Sequence, residues 1–131
     1  MYHNIKTTIK TKDGGVEIMI RRGVKQGDPL SPLLFNLCLE PLLDEIEEQT
    51  SGINTSRNHK VSVLAFADDI VLLGADAREA QHQINILIDY LSSLHMNLSI
   101  EKCQTFEVVA KKDTWFIKEP GLKIRNQLLP N

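Results

Sequence analysis

The sequence predicts an α+β fold made of antiparallel hairpins and two long helices. Residues 4–20 contain two alternating polar and apolar runs around an Asp-Gly pair, and residues 61–73 contain two aliphatic runs around a pair of aspartates. Apolar residues recur at helical spacing in a segment that begins at Ser31 and again over residues 76–95. Period-two and period-3.6 patterns in separate stretches predict segregated strands and helices.

The first hairpin is predicted around Lys12-Asp13-Gly14-Gly15, with strands in residues 4–12 and 16–20. Asp-Gly between alternating runs is a strong signal for a tight turn. Residues 21–30 follow as a predicted loop, in which glycines permit backbone conformations that other residues avoid.

The first helix is predicted to start with Ser31 as N-cap and Pro32 at the first helical position. Pro41 predicts a kink rather than an end, because the apolar pattern continues beyond it. We expect a buried stripe in which the cysteine is a small buried thiol; its members are Leu34, Leu37, Cys38, Leu42 and Ile46.

The second half of the chain is predicted to hold a surface loop, a buried hairpin and a long helix. Residues 50–60 are polar and read as the loop, whereas both faces of the 61–73 strands are apolar, which predicts a central hairpin covered by helices. The buried stripe of the second helix is predicted to comprise Ala80, Ile84, Leu87, Ile88, Leu91 and His95. Short strand-like runs follow at 98–100, 104–109 and 114–118.

Composition indicates one globular domain or part of one. The chain has 131 residues, 42% of them hydrophobic, which is inconsistent with disorder. Its 15 basic and 17 acidic side chains leave a formal net charge of −2, so nucleic-acid contact is expected only from local patches. Candidate patches are Arg21-Arg22 with Lys25, and Lys111-Lys112, although such pairs are most often ordinary surface charge.

Cysteine and histidine usage argues against a disulfide framework or a zinc site. The two cysteines do not form a framework, and the four histidines are scattered without zinc-ligand spacing. The sequence contains no signal peptide and no transmembrane run, so we expect no membrane partner and an intracellular location in the nucleus or cytoplasm. Oligomeric state is not predictable from the sequence.

Phe66-Ala67-Asp68-Asp69 joins the two apolar runs of the predicted 61–73 hairpin. Aspartate is a common turn residue, so two aspartates between strands are usually a plain turn. Adjacent carboxylates at a hairpin tip are also the arrangement that holds Mg²⁺, which prefers oxygen ligands. The tetrapeptide alone leaves both interpretations open.

The segment Arg22-Gly23-Val24-Lys25-Gln26-Gly27-Asp28-Pro29-Leu30-Ser31-Pro32-Leu33-Leu34-Phe35-Asn36 resembles motif B of reverse transcriptases. Phe66 to Asp69 resembles motif C, in the expected order and spacing. The residues of these two motifs are most similar to those of non-LTR (LINE-type) retrotransposon polymerases, especially those that insert into ribosomal genes. This resemblance implies a partial right-hand palm whose antiparallel sheet carries the Asp-Asp hairpin and packs against two helices.

The resemblance also implies site residues. Asp68 and Asp69 match the motif C ligands of a two-metal Mg²⁺ site, with Asp68 the principal ligand and the third carboxylate supplied by motif A. Gln26 and Gly27 match positions near the nascent base pair and template, and the cations Arg22 and Lys25 are expected to meet phosphate. The implied partners are an RNA template, a DNA primer and a deoxynucleoside triphosphate.

Residues 97–103 resemble motif D, in which Lys102 matches a lysine that protonates the pyrophosphate leaving group. The chain has His95 where the family has glycine and Ser99 where it has asparagine, so this match is less specific than that of motif C.

The resemblance covers nearly the whole chain but only the middle of a polymerase. We expect residues 1–131 to be a partial palm domain without motif A, most of the fingers, the primer grip and the thumb. The expected function is therefore that of a fragment of an RNA-directed DNA polymerase, inactive alone. The alternatives are a non-enzymatic retroelement remnant that binds nucleic acid or protein, and the product of an incomplete gene model.

Overall fold

The computed structural model describes residues 6–12, 14–19, 23, 27–56 and 59–130. The chain divides into two compact units, Met1–Asn36 and Leu37–Asn131. The described residues form two α-helices, α1 (Ser31–Gln49) and α2 (Ala77–Ser93), and a short 3₁₀ turn at Ile100–Lys102. The strands in chain order are β1 (Lys6–Thr11), β2 (Gly14–Met19), β3 (Ile53–Ser56), β4 (His59–Val61), β5 (Val63–Phe66), β6 (Asp69–Leu72), β7 (Glu107–Lys111), β8 (Thr114–Lys118), β9 (Lys123–Ile124) and β10 (Gln127–Leu128). The predicted α+β class is confirmed.

Strands β1 and β2 form the hairpin predicted near the N-terminus. Thr11 pairs with Gly14, so the connection has two residues and Gly14 already belongs to the second strand. Its φ of 132° lies in the region that favours glycine. The predicted hairpin is confirmed, with its second strand starting two residues earlier than expected.

Helix α1 begins one residue earlier than the sequence predicts. The Leu30 carbonyl accepts from the Leu34 N–H (3.0 Å), so Leu30, and not Ser31, is the N-cap. Asp28 sets up this start: its carboxylate Oδ1 accepts from the Leu30 N–H (2.9 Å) and its backbone carbonyl accepts from the Ser31 N–H (3.0 Å). The helix continues through Pro41, as predicted.

The buried stripe of α1 is partly different from the predicted one. Leu42 and Ile46 are fully buried, but the third buried aliphatic residue is Leu39, whereas Leu37 is exposed. Cys38 is also exposed, so the prediction of a buried thiol is wrong. Apolar residues occupy many consecutive positions of this helix, so several stripes are compatible with the sequence and tertiary packing selects one.

Helix α2 agrees closely with the predicted 76–95 segment. Asp76 is its N-cap and accepts from the Glu79 N–H at 2.8 Å. His95 lies beyond the helix end with a φ of 56° and is exposed, so its predicted place on the buried stripe is wrong. The buried residues of the helix are Gln83, Ile84, Ile86, Leu87 and Leu91.

The segment predicted as a surface loop at 50–60 instead contains the hairpin of β3 and β4, which is a correction. Gly52 precedes it with a φ of 61°, and a side chain there would collide with the Val61 carbonyl. Most residues of the two strands are polar and exposed, so a hydrophobicity pattern does not reveal this hairpin.

The strands form five separate two-stranded antiparallel ladders within the described residues. The prediction of one sheet with a central, fully covered 61–73 hairpin is therefore wrong for that part of the chain. In β5 and β6, Val63 is buried, but the opposite face exposes Leu64, Phe66 and Val71. Phe66, the last residue of β5, is 84% exposed.

The C-terminal segment closes a small apolar core against α2. Ile84 packs with Leu122 and Ile124, and Leu72 at the end of β6 lies beside this cluster. Among the described residues, no helix is long and apolar enough to cross a membrane.

Candidate metal-binding hairpin and its supports

The hairpin of β5 and β6 carries Asp68 and Asp69 at its tip. Phe66 pairs with Asp69, so Ala67 and Asp68 are the two turn residues and Asp69 is the first residue of β6. Ala67 has a φ of 53°, a left-handed conformation typical of such tight turns. The sequence thus presents one carboxylate from the turn and the next from the adjoining strand.

Both carboxylates are exposed. Asp69 pairs with Phe66, and Leu64 pairs with Val71 two residues further along each strand. Residues two apart in a strand point to the same side, so these four side chains share the exposed face, opposite the buried Val63. Neither aspartate side chain forms a hydrogen bond or ion pair with any residue that the structure describes.

The remaining predicted site residues are distributed as follows. Gly27 has a φ of 86° and leads into the Asp28 turn before α1, a conformation that requires glycine. Arg22, Lys25 and Gln26 lie outside the described residues. Lys102 ends the 3₁₀ turn with an exposed side chain, and within the described chain no hydrogen bond or ion pair connects it to Asp68 or Asp69.

Next to Lys102, Cys103 is not suited to metal binding. Burial raises the pKa of its thiol, and its Sγ donates to the Ser99 carbonyl at 3.4 Å. A protonated thiol is a poor metal ligand and nucleophile. Across the part of the chain that the structure describes, no cluster of three or more His, Cys, Asp or Glu side chains is arranged to hold a metal ion.

The base of the hairpin is held by Gln83 of α2, a residue that the sequence reasoning missed. Gln83 is fully buried, and its Nε2 donates to the carbonyls of Ser62 and Leu73 (3.3 Å each), which flank the hairpin. The same Nε2 lies 3.1 Å from Thr50 Oγ1, just beyond α1, so the two hydrogens of this amide are shared among three acceptors. The sequence did contain a signal for this residue. Gln83 follows Ala80 by three positions and precedes Leu87 by four, which places it on the apolar face of α2 and predicts that its side chain is buried.

One helical turn earlier, Glu79 provides a second support. Its carboxylate accepts from the backbone N–H groups of Ser51 (2.5 Å) and Ala75 (2.6 Å). The pKa of Glu79 is lowered, and the hydrogen bond from the Ala75 N–H is the largest cause. The N–H groups of Ser51 and Gly52 lower this pKa further, whereas desolvation and the nearby Asp76 raise it. The ionised carboxylate therefore connects the end of α1 with the segment between β6 and α2.

Comparison with known protein families identifies the chain. Residues 2–123 match the family described as reverse transcriptase (RNA-dependent DNA polymerase). The chain belongs to the reverse transcriptase family. This confirms the family predicted from the motif B and motif C resemblance.

Several retrotransposon proteins are similar to this reverse transcriptase chain. It is 38% identical over 128 residues to the Retrovirus-related Pol polyprotein from type-1 retrotransposable element R2 of Popillia japonica, an alignment covering 95% of the chain and 18% of that protein. The R2 polyprotein of Nasonia vitripennis is 36% identical over 110 residues, which are 83% of the chain and 10% of that protein. The Pol polyprotein from the type-2 element R2DM of Drosophila melanogaster is 38% identical over 89 residues, which are 68% of the chain and 8% of that protein.

The chain thus spans less than a fifth of the length of these relatives. No solved structure gave a significant match.

Proposed function

We propose that this chain supplies the metal-binding hairpin and part of the palm of an RNA-directed DNA polymerase of the retrotransposon type. The observation that carries the proposal is the tight β5–β6 turn, which brings two exposed carboxylates together at one tip. The family assignment supports it, because the description of that family names RNA-dependent DNA synthesis.

The donor set of the tip fits magnesium. Asp68 and Asp69 offer hard carboxylate oxygens, and Mg²⁺ retains several waters while binding through one or two carboxylates and substrate phosphates. Two adjacent like charges also repel each other in the free protein, and a bound dication relieves this repulsion. We assign Asp68 as the principal ligand and Asp69 as the second, with a third carboxylate coming from a segment matching motif A.

When bound, a pair of divalent ions lowers the pKa of the attacking primer hydroxyl and stabilises the leaving pyrophosphate. The chain's own residues then have distinct roles. Asp68 and Asp69 fix the position of positive charge, Gly27 allows the backbone before α1 to approach the nascent base pair and template together with Gln26, and the ammonium of Lys102 gives a proton to the leaving group. We assign Arg22 and Lys25 to phosphate contacts, which position the nucleic acid without reading its sequence.

The substrates that follow from this proposal are an RNA template, a DNA primer and a deoxynucleoside triphosphate. Residues 1–131 are then a portion of the palm, with fingers and thumb functions supplied by other segments. The small share of the relatives' length that the chain covers agrees with this division.

Binding of Mn²⁺, an ion visible by electron paramagnetic resonance that replaces Mg²⁺ in oxygen sites, tests the proposal on the 131-residue protein. We expect saturable binding that Asp68→Asn abolishes and Asp69→Asn weakens. Asp89→Asn is the matched control, because Asp89 is an exposed aspartate that belongs to α2 and not to the hairpin. Equal Mn²⁺ binding by the wild type and the Asp68→Asn variant would contradict the assignment.

A further inference from the structure

The hairpin that carries Asp68 and Asp69 has little support of its own. Within the described residues it pairs with no third strand, and one of its two faces is exposed. An isolated two-stranded hairpin is at best marginally stable in water. Its orientation must therefore be set by contacts at its base, where Val63 is buried and Ser62 and Leu73 meet α2.

The contacts of Gln83 at this base are directed at the hairpin itself. The Leu73 N–H donates to the Ser62 carbonyl (2.8 Å), closing the ladder, and the Gln83 amide bonds the carbonyls of these same two residues. The Gln83 Oε1 atom is buried and accepts no hydrogen bond from the described part of the chain. A buried acceptor without a hydrogen bond destabilises the folded state. The stabilising contribution of the Gln83 side chain therefore comes from its Nε2 group, which donates.

The exit of the hairpin is held in the same way. Gly74 passes so close to α2 that a Cβ atom there would lie 2.6 Å from the Ala80 nitrogen. Glu79 then accepts from the Ala75 N–H, immediately after this close approach. Because Glu79 and Gln83 are one helical turn apart on α2, both side chains reach the hairpin base from the same face of the helix.

We propose that Glu79 and Gln83 are positioning residues that set the direction in which the hairpin presents Asp68 and Asp69. This inference rests on the proposed function, because it assigns the two residues a task for the metal-binding tip. They touch neither aspartate and act only through the backbone at the hairpin base.

The geometry gives this support a large effect at the tip. Strands of four residues place the tip about 13 Å from the base, at roughly 3.3 Å per residue. A tilt of about 10° at the base therefore moves the carboxylates by about 2 Å. A displacement of about 1 Å is already enough to cost polymerisation much of its rate, because the reacting groups must be held in near-attack geometry.

The distance between two spin labels tests the proposal without requiring a metal ion. Labels are attached at Phe66→Cys on the hairpin and Asp89→Cys on α2, both exposed positions, in a background carrying Cys38→Ser and Cys103→Ser. We expect a narrow distance distribution that broadens in Gln83→Met, which retains side-chain length but removes the donors. Circular dichroism shows whether the helices are retained.

Gln81→Met is the matched control. Gln81 also bonds backbone, accepting from the Lys123 N–H and donating to the Lys123 carbonyl at 2.8 Å each, but it contacts β9 and not the hairpin. We expect this variant to keep the narrow distribution. If Gln83→Met fails to fold, Glu79→Gln decides, because a carboxamide has one acceptor oxygen for the two N–H groups that Glu79 binds.

The outcomes separate this inference from the proposed function. An unchanged distribution in the folded Gln83→Met variant, or in Glu79→Gln where that variant decides, overturns the positioning role whatever the metal result. A broadened distribution in a protein that binds no Mn²⁺ overturns the proposed function but supports the role of the two residues in orienting the hairpin. Equal broadening of the distance distribution in Gln81→Met also overturns the inference, because the loss of any side-chain contact of α2 would then have the same effect.

Discussion

The phenolic hydroxyl of Tyr90 donates a 2.6 Å hydrogen bond to the backbone carbonyl of Cys38, joining α2 to α1. Burial is the largest cause that raises the pKa of Tyr90, and Cys38 and Glu45 raise it further, so the hydroxyl keeps its proton and remains a donor. Pro41 lies in the next turn of α1 and lacks the N–H that would bond the Leu37 carbonyl. The contact therefore secures α1 beside the point where its own hydrogen bonding is interrupted.

Tyr90→Phe is expected to lower the free energy of unfolding by about 0.5–1.5 kcal/mol, because it removes this hydrogen bond and keeps the ring. Urea denaturation monitored by circular dichroism measures the change. A stability equal to that of the wild type would show that water replaces the Tyr90 hydroxyl as the hydrogen-bond donor to the Cys38 carbonyl without a change in the free energy of unfolding.

Gly52→Ala is expected to be more destabilising than Gly121→Ala. Both glycines have a positive φ, 61° and 67°, which costs an alanine about 1–2 kcal/mol. Only at Gly52 would the new Cβ also collide with backbone, the Val61 carbonyl, whereas nothing lies within 4 Å at Gly121. We expect a loss on the order of 3 kcal/mol for Gly52→Ala, and equal losses in the two variants would contradict the close approach.

Glu79 is expected to contribute to the acid sensitivity of the fold. Its pKa in the folded protein is lowered from 4.5, so its contribution to stability is present above the unfolded pKa and is lost as the pH falls through the folded value. Glu79→Gln should therefore lose less stability than the wild type as the pH is lowered from neutral through the folded pKa of Glu79, which lies below 4.5.

The control for this experiment is Glu48→Gln, which changes an exposed glutamate of α1. Its loss of stability on acidification should equal that of the wild type. If Glu79→Gln and Glu48→Gln show the same pH dependence, the hydrogen bonds of Glu79 do not stabilise the folded state through its charge.

A chimera tests the polymerase assignment. Replacing the matching segment of the Popillia japonica polyprotein with this chain is expected to retain RNA-templated DNA synthesis, measured beside the unmodified polyprotein. Asp68→Ala in the chimera should lower the rate on the order of 10³-fold or more, because cooperating catalytic groups fail together. Asp89→Ala should leave the rate unchanged, and an equal effect of both substitutions would argue against a special role of the hairpin tip.

The 131-residue protein by itself is expected to show no measurable primer extension on an RNA template. Its described residues bring together two carboxylates at the tip and no group of three potential metal-binding side chains. In the proposed site a third carboxylate comes from a segment matching motif A, and the loss of one of three cooperating groups is enough to remove most of the rate. Extension that is abolished by Asp68→Ala would overturn this prediction.

Much of the local structure was predictable because short-range patterns control it. The Asp-Gly pair predicted the first hairpin, and the helical spacing of apolar residues predicted α2. The β3–β4 hairpin was missed because most residues of its short strands are polar and exposed, so no alternation of polar and apolar residues marks them. The exposure of Cys38 was missed because α1 offers apolar residues on more than one face.

The sequence by itself determined the reverse transcriptase family, the two helices and the proximity of Asp68 to Asp69, since each depends on residues near one another in the chain. Only the tertiary structure decided that the hairpin has one exposed face and that Gln83 is buried beneath its base. Hydrogen bonds from one helix to carbonyls 10 and 21 residues away depend on how the elements pack. Local propensity carries no information about that packing, so the support of the β5–β6 hairpin becomes visible only in three dimensions.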